Sequence, residues 1–317
     1  MLKAKIMFFS TLVHNEKRVS LLKQLIRKKG FVKILEVHNG LSGLIVDNFQ
    51  LREKDHILSF DGFWESSLTD SASKGLPDIE IVSPDSRLDT INQILEVTRK
   101  PMIVDGDTGG HVDHFKYLVK RLERAGVSMI IIEDKVFPKR NSFIDAKQTL
   151  EDPRIFAEKI RRGTQMKQNK DFMIIARLES LIAEETVDDA LQRAKIYLLA
   201  GADGIMIHSK SSTPTEVLDF AKRYYQFPQK LIKNKVLVCV PTTYNTITTK
   251  DLADAGFQVI IYANHLLRAA YNAMEETCKS ILLYDRSLEA NALCGPVANL
   301  LEVTGLVAMT KKENNTK

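Results

Sequence analysis

About eight short apolar runs follow one another along this 317-residue chain and limit the folds that it can adopt. They span residues 34–37, 57–60, 102–104, 129–132, 172–175, 204–207, 236–240 and 258–262. Most are rich in β-branched residues and continuous rather than alternating, as in parallel strands covered on both faces. The segments between them have helical periodicity. This succession predicts a (β/α)8 barrel, which typically needs about 250 residues.

Helix boundaries can be read from capping residues. We expect one amphipathic helix over residues 15–29, with Asn15 capping its first turn and Gly30 ending its last. Thr248 and Asp251 resemble a capping box that opens a short helix, and a longer helix is expected over residues 264–284. The alternative fold is a doubly wound open sheet. The chain has neither a Gly-x-Gly-x-x-Gly turn after its first strand nor a phosphate-binding Gly-x-x-x-x-Gly-Lys-Ser/Thr loop, which disfavours that alternative.

A single domain over residues 1–310 is predicted, consisting of the barrel, an N-terminal helix and a C-terminal helical extension. The polar tail over residues 311–317 is predicted to be disordered. Residues 6–13 faintly imitate a secretory signal, but the run is short, lacks a small-residue cleavage site and leads straight into charged residues. We therefore discount a signal peptide.

Charge and cysteine content narrow the possible roles. Lys and Arg number 45 against 40 Asp and Glu, a net charge of +5 that is dispersed along the chain and gives no support to nucleic-acid or membrane binding. The three cysteines, Cys239, Cys278 and Cys294, predict reduced thiols in the cytoplasm. No apolar stretch approaches the roughly 18 residues of a membrane span.

Acidic and then basic residues follow consecutive predicted strands, at the strand ends where barrel enzymes carry their catalytic groups. The order is Asp105-Gly106-Asp107-Thr108-Gly109-Gly110, Glu133-Asp134-Lys135, Arg177 and His208. Carboxylates crowded at one rim require a cation or shifted pKa values. All-oxygen ligands predict Mg²⁺ or Mn²⁺, whereas the histidines and cysteines lack the spacing of a zinc site.

Each of these features has an alternative explanation. The glycine-rich turn could be strand-end geometry alone, Arg177 could form a structural ion pair, and His208 could be a core histidine. Both basic residues suit the binding of carboxylate or phosphate oxygens. Residues 136–150 form a long polar loop, which predicts a lid over the substrate or else a solvated surface loop.

From about residue 34 to 270 the chain resembles the phosphoenolpyruvate mutase family, within the isocitrate lyase and phosphoenolpyruvate mutase superfamily. The resemblance rests on five motifs: Glu36-Val37-His38-Asn39-Gly40-Leu41-Ser42, Trp64-Glu65-Ser66-Ser67, Lys74-Gly75-Leu76-Pro77-Asp78, the turn over 105–110, and Glu133-Asp134-Lys135 with the Asn141-Ser142 that follows.

The resemblance implies a set of site residues. For the metal they are Asp105, which would ligate Mg²⁺ directly, and Asp78, Asp107 and Glu133, which would hold its waters. For the substrate they are Trp64, Ser66, Ser67, Gly106 and Ser142, of which the first three surround the pyruvyl part, together with Arg177 and His208, which grip the phosphoryl oxygens. Lys139 and Asn141 would arrive on the mobile loop and, with Asp78, Arg177 and His208, complete the catalytic set.

The reaction implied by the resemblance moves the phosphoryl group of phosphoenolpyruvate from the enolate oxygen to C3, through a dissociative, metaphosphate-like step. Its product, phosphonopyruvate, begins phosphonate biosynthesis. The resemblance further implies an eighth helix swapped between subunits, a homotetramer built as a dimer of dimers, and a separate enzyme, such as a decarboxylase, that consumes phosphonopyruvate.

Three alternatives stay open within this resemblance. The resemblance extends to phosphonopyruvate hydrolase, which departs from this chain by a Thr at the position of Asn141, so the asparagine favours the mutase. The lyase branch carries a Lys-Lys-Cys-Gly-His motif, and no cysteine is so placed here. A barrel that binds phosphoenolpyruvate without turnover would be expected to have lost a site residue. One departure concerns Phe143-Ile144-Asp145, where the glycine expected for loop motion is absent.

Overall fold

A computed structural model describes residues 13–54, 56–144 and 146–314, with side chains to residue 310. Within these ranges the strands are β1 (Val32–Glu36), β2 (Gln50–Glu53), β3 (His56–Ser59), β4 (Gly62–Glu65), β5 (Met102–Asp105), β6 (Met129–Glu133), β7 (Met173–Leu178), β8 (Gly204–Ile207), β9 (Val236–Cys239) and β10 (Val259–Tyr262).

The helices of the same ranges are α1 (Asn15–Lys29), α2 (Gly40–Asn48), α3 (Ser67–Ser73), α4 (Pro84–Val97), α5 (Val112–Ala125), α6 (Pro153–Met166), α7 (Val187–Leu199), α8 (Thr215–Tyr224), α9 (Gln229–Ile232), α10 (Thr249–Asp254), α11 (His265–Tyr284), α12 (Val297–Val303) and α13 (Leu306–Asn314). A short 3-10 helix spans Glu289–Ala292.

Eight of the strands form a closed parallel barrel in the order β1-β10-β9-β8-β7-β6-β5-β4. The barrel closes where β4 pairs with β1, placing Gly62 opposite Ile34. The predicted (β/α)8 barrel is therefore confirmed. Because all eight strands point the same way, their carboxyl ends meet at one rim.

Apolar side chains fill the barrel and the layer between barrel and helices. Inside the barrel, Ile34, Ile103 and Ile175 belong to one buried cluster. Leu22 and Ile26 of α1 join this cluster, so α1 closes the barrel at the amino-terminal end of the strands. A larger cluster packs the helices against the outer wall. Both faces of each strand are therefore covered, which explains the continuous apolar runs.

The prediction that residues 57–60 form the second strand of the barrel is wrong. Residues 57–60 overlap β3, which pairs antiparallel with β2 in a hairpin outside the barrel, with Ile57 58% exposed. The second barrel strand is β4, which is fully buried and includes Gly62 and Glu65. A Cβ at position 62 would lie 2.7 Å from the carbonyl oxygen of Pro101, so the glycine allows close strand packing. A glycine and a carboxylate interrupt the apolar pattern and conceal this strand.

The helix ends confirm most of the predicted boundaries. Gly30 ends α1 with a φ of 82°, and Thr248 and Asp251 form the predicted capping box of α10. The prediction that Asn15 caps α1 is wrong. His14 holds the cap position, and the Asn15 side chain instead donates to the carbonyl of Arg124, 3.0 Å away, tying α1 to the end of α5.

Helix α11 extends away from the barrel. It contains no buried residue, and Leu282 is 84% exposed. Its N-terminus is held by Glu36, whose Oε2 accepts hydrogen bonds from the N–H groups of Leu266 and Leu267 at 2.9 and 3.3 Å. The exchange of this helix between subunits stays a prediction.

Two sequence predictions fall wholly or partly outside the described part of the chain. The signal-like run lies there except for Val13. Of the tail predicted to be disordered, residues 311–314 belong to α13 and residues 315–317 lie outside the described part. In the described ranges, none of the helices has the length and apolarity needed to cross a membrane.

Candidate active site

A cavity of about 510 Å³, measured with its open mouth, lies at the carboxyl ends of the barrel strands. Most of the predicted site residues line it: Trp64, Ser66, Ser67, Asp78, Asp105, Glu133, Lys139, Asn141, Ser142, Arg177 and His208. The strand ends β4 to β8 and the loop over residues 136–150 therefore bring together side chains that are far apart in sequence.

Gly106 and Asp107 lie behind this cavity rather than on its wall. The N–H of Gly106 donates to the carbonyl of Ile131 at 2.7 Å, so this amide is used by the barrel wall. A Cβ at position 106 would lie 2.7 Å from Ile130. The glycine thus permits close packing, and the geometry does not place it in contact with a molecule in the cavity.

Asp105 ends β5 and is held by its neighbours. Its Oδ2 accepts from the hydroxyl of Ser67 at 3.0 Å, and its Oδ1 accepts from the N–H of Asp107 at 3.2 Å. The guanidinium of Arg177 lies 3.9 Å away. These contacts fix the rotamer of a carboxylate that is 4% exposed.

Lys139 of the loop reaches four carboxylates, those of Asp78, Asp105, Asp107 and Glu133, which are called the acid cluster below. Its Nζ lies 2.8 Å from Asp107 and 3.1 Å from Asp78, and donates to the hydroxyl of Ser67 at 2.7 Å. Burial opposes the charge of Lys139, but Asp107 and the other carboxylates outweigh it and raise its pKa well above the usual value. The loop in this structure is thus closed over the acids.

Asn141 stands beside Lys139 at the cavity. Its amide Nδ2 donates to Asp78 at 2.6 Å, and its Oδ1 accepts from the N–H of Phe143 at 2.9 Å. Both ends of the amide are therefore oriented. Asp145, part of the predicted loop hinge, lies outside the described residues.

The opposite wall of the cavity carries basic side chains, which all contact the carboxylate of Glu179. The carboxylate of Glu179 accepts from Arg177 at 2.5 Å and from Ser142 at 2.8 Å, and lies 2.7 Å from Nδ1 of His208. Lys135 pairs with it at 2.9 Å. Burial, then the charge of Arg177, lowers the pKa of His208, although Glu179 opposes the shift.

Charges of both signs set the titration of the acids. Burial raises the pKa of Glu133 to about 7, although Arg177 and Lys139 oppose the rise. Burial also disfavours ionisation of Asp107, but Arg87 and Lys139 outweigh it and lower its pKa to about 2. Two acids of one cluster are therefore held in different electrostatic environments.

The acid cluster fits a largely hydrated divalent cation. In the described ranges, no three acidic, histidine or cysteine side chains are placed to hold one ion together. Oδ1 of Asp78 and of Asp107 are paired with Lys139, but both carboxylate oxygens of Glu133 are buried and accept no hydrogen bond. Mg²⁺ commonly binds through one or two carboxylates and keeps several waters, and such waters would satisfy these oxygens.

Sequence reasoning missed three charged residues here. Glu179 lies two positions after Arg177 at the end of β7, so reading one step further past the strand would have found it. Glu65 is fully buried on β4, and burial raises its pKa to about 8. Arg87 comes from α4, and no strand-end rule would have revealed it.

The fold and the cavity define a class: a (β/α)8 barrel whose rim combines an acid cluster with a basic wall, as in enzymes that act on anionic substrates with a metal ion. Comparison with known proteins specifies it. A sequence model described as phosphoenolpyruvate phosphomutase matches residues 22–282. The chain belongs to the phosphoenolpyruvate phosphomutase family and is an enzyme.

Two curated relatives illustrate the range of that similarity. The phosphoenolpyruvate phosphomutase of Tetrahymena pyriformis is 36% identical over 277 residues, which cover 86% of this chain and 85% of the relative. The phosphonopyruvate hydrolase of Variovorax sp. (strain Pal2) is 37% identical over 249 residues, which cover 78% of this chain and 83% of the relative.

Solved structures agree with the sequence comparison. The crystal structure of phosphoenolpyruvate phosphomutase from Streptomyces platensis subsp. rosaceus superposes with a TM-score of 0.83 at 36% identity, covering 94% of this chain and 98% of that one. A phosphonopyruvate hydrolase in complex with oxalate and Mg²⁺ gives a TM-score of 0.81 at 31% identity, covering 95% and 99%.

Proposed function

We propose that this enzyme is a Mg²⁺-dependent mutase that interconverts phosphoenolpyruvate and phosphonopyruvate. The observation that carries the proposal is the position of Asn141. Its amide reaches the cavity on the closed loop, is oriented by Asp78, and stands with Lys139 across from Arg177 and His208. A neutral amide can donate hydrogen bonds to a migrating phosphoryl group and cannot capture it.

The acid cluster would hold the metal, with Asp105 as direct ligand and Asp78, Asp107 and Glu133 binding its waters. This assignment is supported by the two buried oxygens of Glu133, which accept no hydrogen bond, and by the related hydrolase, whose structure was solved in complex with oxalate and Mg²⁺. When bound, the ion would stabilise negative charge on the oxygens of the enolate and of the phosphoryl group.

The chain's own residues would perform the remaining tasks. Ser66, Ser67 and Trp64 would hold the pyruvyl part, because they line the end of the cavity beside Asp105. Arg177 and His208 would bind phosphoryl oxygens, and Ser142 would tie the loop to the same wall through Glu179.

A dissociative step requires a dry site. A metaphosphate-like species carries spread negative charge and reacts with any water within reach. Lys139, which is 3% exposed, and the closed loop would exclude water while the enolate turns its C3 toward the phosphorus. Preorganised charges would stabilise the step without reorganisation, and no covalent phosphoenzyme would form.

The second candidate is phosphonopyruvate hydrolase, favoured by the relative of that name at 37% identity. The two reactions share substrate and charge requirements and differ in whether water reaches the phosphorus. Asn141 supports the mutase, since the hydrolase family resembles this chain but departs from it by a Thr at that position.

Phosphorus-31 NMR separates these functions. Purified enzyme is incubated with phosphonopyruvate and Mg²⁺, and we expect the phosphonate signal to be replaced by that of phosphoenolpyruvate. Inorganic phosphate with pyruvate would instead establish the hydrolase. An unchanged spectrum would indicate a binding barrel without turnover. Chelation by EDTA should stop the conversion and Mg²⁺ or Mn²⁺ should restore it.

We also propose a homotetramer with α11 exchanged within each dimer, a cytoplasmic location, and a separate enzyme that consumes phosphonopyruvate. The exposed apolar face of α11 supports the first proposal. The three free thiols, of which Cys278 and Cys294 are exposed, support the second. The third follows because the equilibrium is expected to favour phosphoenolpyruvate.

A further inference from the structure

Arg87 is a buried cation directly behind the acid cluster. It projects from the first turns of α4, and its side chain is 9% exposed. Its Nη1 donates to the backbone carbonyl of Asp105, and its Nη2 lies 2.9 Å from Oδ2 of Asp107. One guanidinium thus contacts both acids of the glycine-rich turn, on the side that faces away from the cavity.

The turn needs such support at Asp107. Its φ is +52°, in the left-handed region that residues other than glycine rarely adopt. Positions of this kind cost about 1–3 kcal/mol unless their surroundings hold them. The carboxylate of Asp107 lies between Arg87 behind it and Lys139 in front, so the guanidinium fixes the group on which the loop lysine docks.

The opposite side of the guanidinium faces another carboxylate, with which it forms an ion pair but no hydrogen bond. Nε of Arg87 lies 3.7 Å from Oδ2 of Asp70, whose Oδ1 accepts from the hydroxyl of Thr90 at 2.8 Å. The planar fork therefore lies between Asp70 of α3 and the turn, and it presents its two terminal nitrogens to the turn. A lysine at this position could keep the charge and could not make both contacts.

We propose that Arg87 is a positioning residue that sets the geometry of the Asp105–Asp107 turn for the metal and for Lys139. The inference deepens the proposed function and rests on its metal site. Charge and geometry make opposite predictions here. A positive charge close to a cation site weakens cation binding, whereas a guanidinium that orders the acids strengthens it.

The test uses Arg87→Lys and Arg87→Gln, with Mg²⁺ titrated into the enzyme by calorimetry in the absence of substrate. We expect the Mg²⁺ Kd to rise by about 10-fold or more in both variants, since loss of such supporting groups typically costs about 10–100-fold. Turnover at saturating Mg²⁺ should fall by about 10-fold or more, with the substrate KM changed by less than about 3-fold. Tighter Mg²⁺ binding by R87Q, or wild-type binding by R87K, would overturn the proposal.

Arg18→Lys is the matched control. Arg18 is also a buried arginine that donates to backbone carbonyls, those of Leu95 and Thr98 at 2.9 and 2.5 Å, but it lies on α1 at the closed end of the barrel. We expect this variant to lower Tm and to leave the Mg²⁺ Kd unchanged. A Kd that rises as much in R18K as in R87K would show that lost stability is the cause and would refute the specific role.

Two further outcomes are separable. If neither Arg87 variant folds, Asp70→Asn releases the other side of the guanidinium, and an unchanged Mg²⁺ Kd in that variant overturns the role of Arg87. A wild-type enzyme that binds Mg²⁺ but produces no phosphoenolpyruvate contradicts the proposed mutase function, while the calorimetric comparison still decides the role of Arg87.

Discussion

At the scale of single residues, Asp105 and Asn141 face the same cavity, and their substitution is expected to impair different properties of the enzyme. Asp105→Ala removes the proposed direct metal ligand and should abolish turnover together with Mg²⁺ binding. Asn141→Ala removes an amide that contacts Asp78 and the loop, but it removes no metal ligand. The isomerisation rate should therefore fall by about 100-fold or more, while the Mg²⁺ affinity stays at the wild-type value. Calorimetry with Mg²⁺ and the phosphorus NMR assay measure the two properties separately.

The contrast between these variants is informative in both directions. Near-normal activity of D105A would remove the metal assignment, and weakened Mg²⁺ binding in N141A would contradict the loop role of Asn141. Asp85→Ala is a suitable control, because this exposed acid of α4 pairs with Arg121 outside the cavity.

At the scale of elements, helix α6 packs on α5 through Gly163. Alanine in an exposed helix interior is normally more stable than glycine by roughly 0.5–1 kcal/mol. Here a Cβ would overlap the ring of Phe115, which is fully buried. We predict that Gly163→Ala destabilises the enzyme by about 1–3 kcal/mol, as overpacking does. Denaturant unfolding measures it, and Gly295→Ala, with no atom within 4 Å of its Cβ, is the control.

The elements also show what the sequence could predict. Seven barrel strands were found because continuous apolar runs are the direct result of burial on both faces. Strand β4 was missed because Gly62 and Glu65 serve close packing and the site rather than the apolar pattern. The cavity residues at the strand ends could also be predicted, because the carboxyl ends of parallel barrel strands meet at one rim. Arg87 was not, since its approach from α4 depends on tertiary packing.

At the scale of the whole molecule, the C-terminal helices leave apolar side chains without cover. Leu282 and Leu283 of α11 are 84% and 70% exposed, and Leu300 of α12 is 48% exposed. A surface of this kind is typical of subunit contact. We predict that the enzyme sediments as a tetramer and that Leu282→Glu shifts it to smaller species.

Leu199→Glu is the matched control for that experiment. Leu199 is 71% exposed at the end of α7, away from α11, and its substitution should leave the sedimentation coefficient unchanged. A wild-type monomer, or a tetramer that L282E does not disturb, would contradict subunit contact through α11.

The chain contains a single tryptophan, Trp64, and that residue lines the cavity beside the acid cluster. Its indole N–H is buried and has no hydrogen-bond partner. All indole emission from the enzyme therefore originates within the cavity, and its colour and intensity will respond to whatever enters. The molecule carries its own optical reporter, so loop closure and ligand entry can be followed in real time without any attached label.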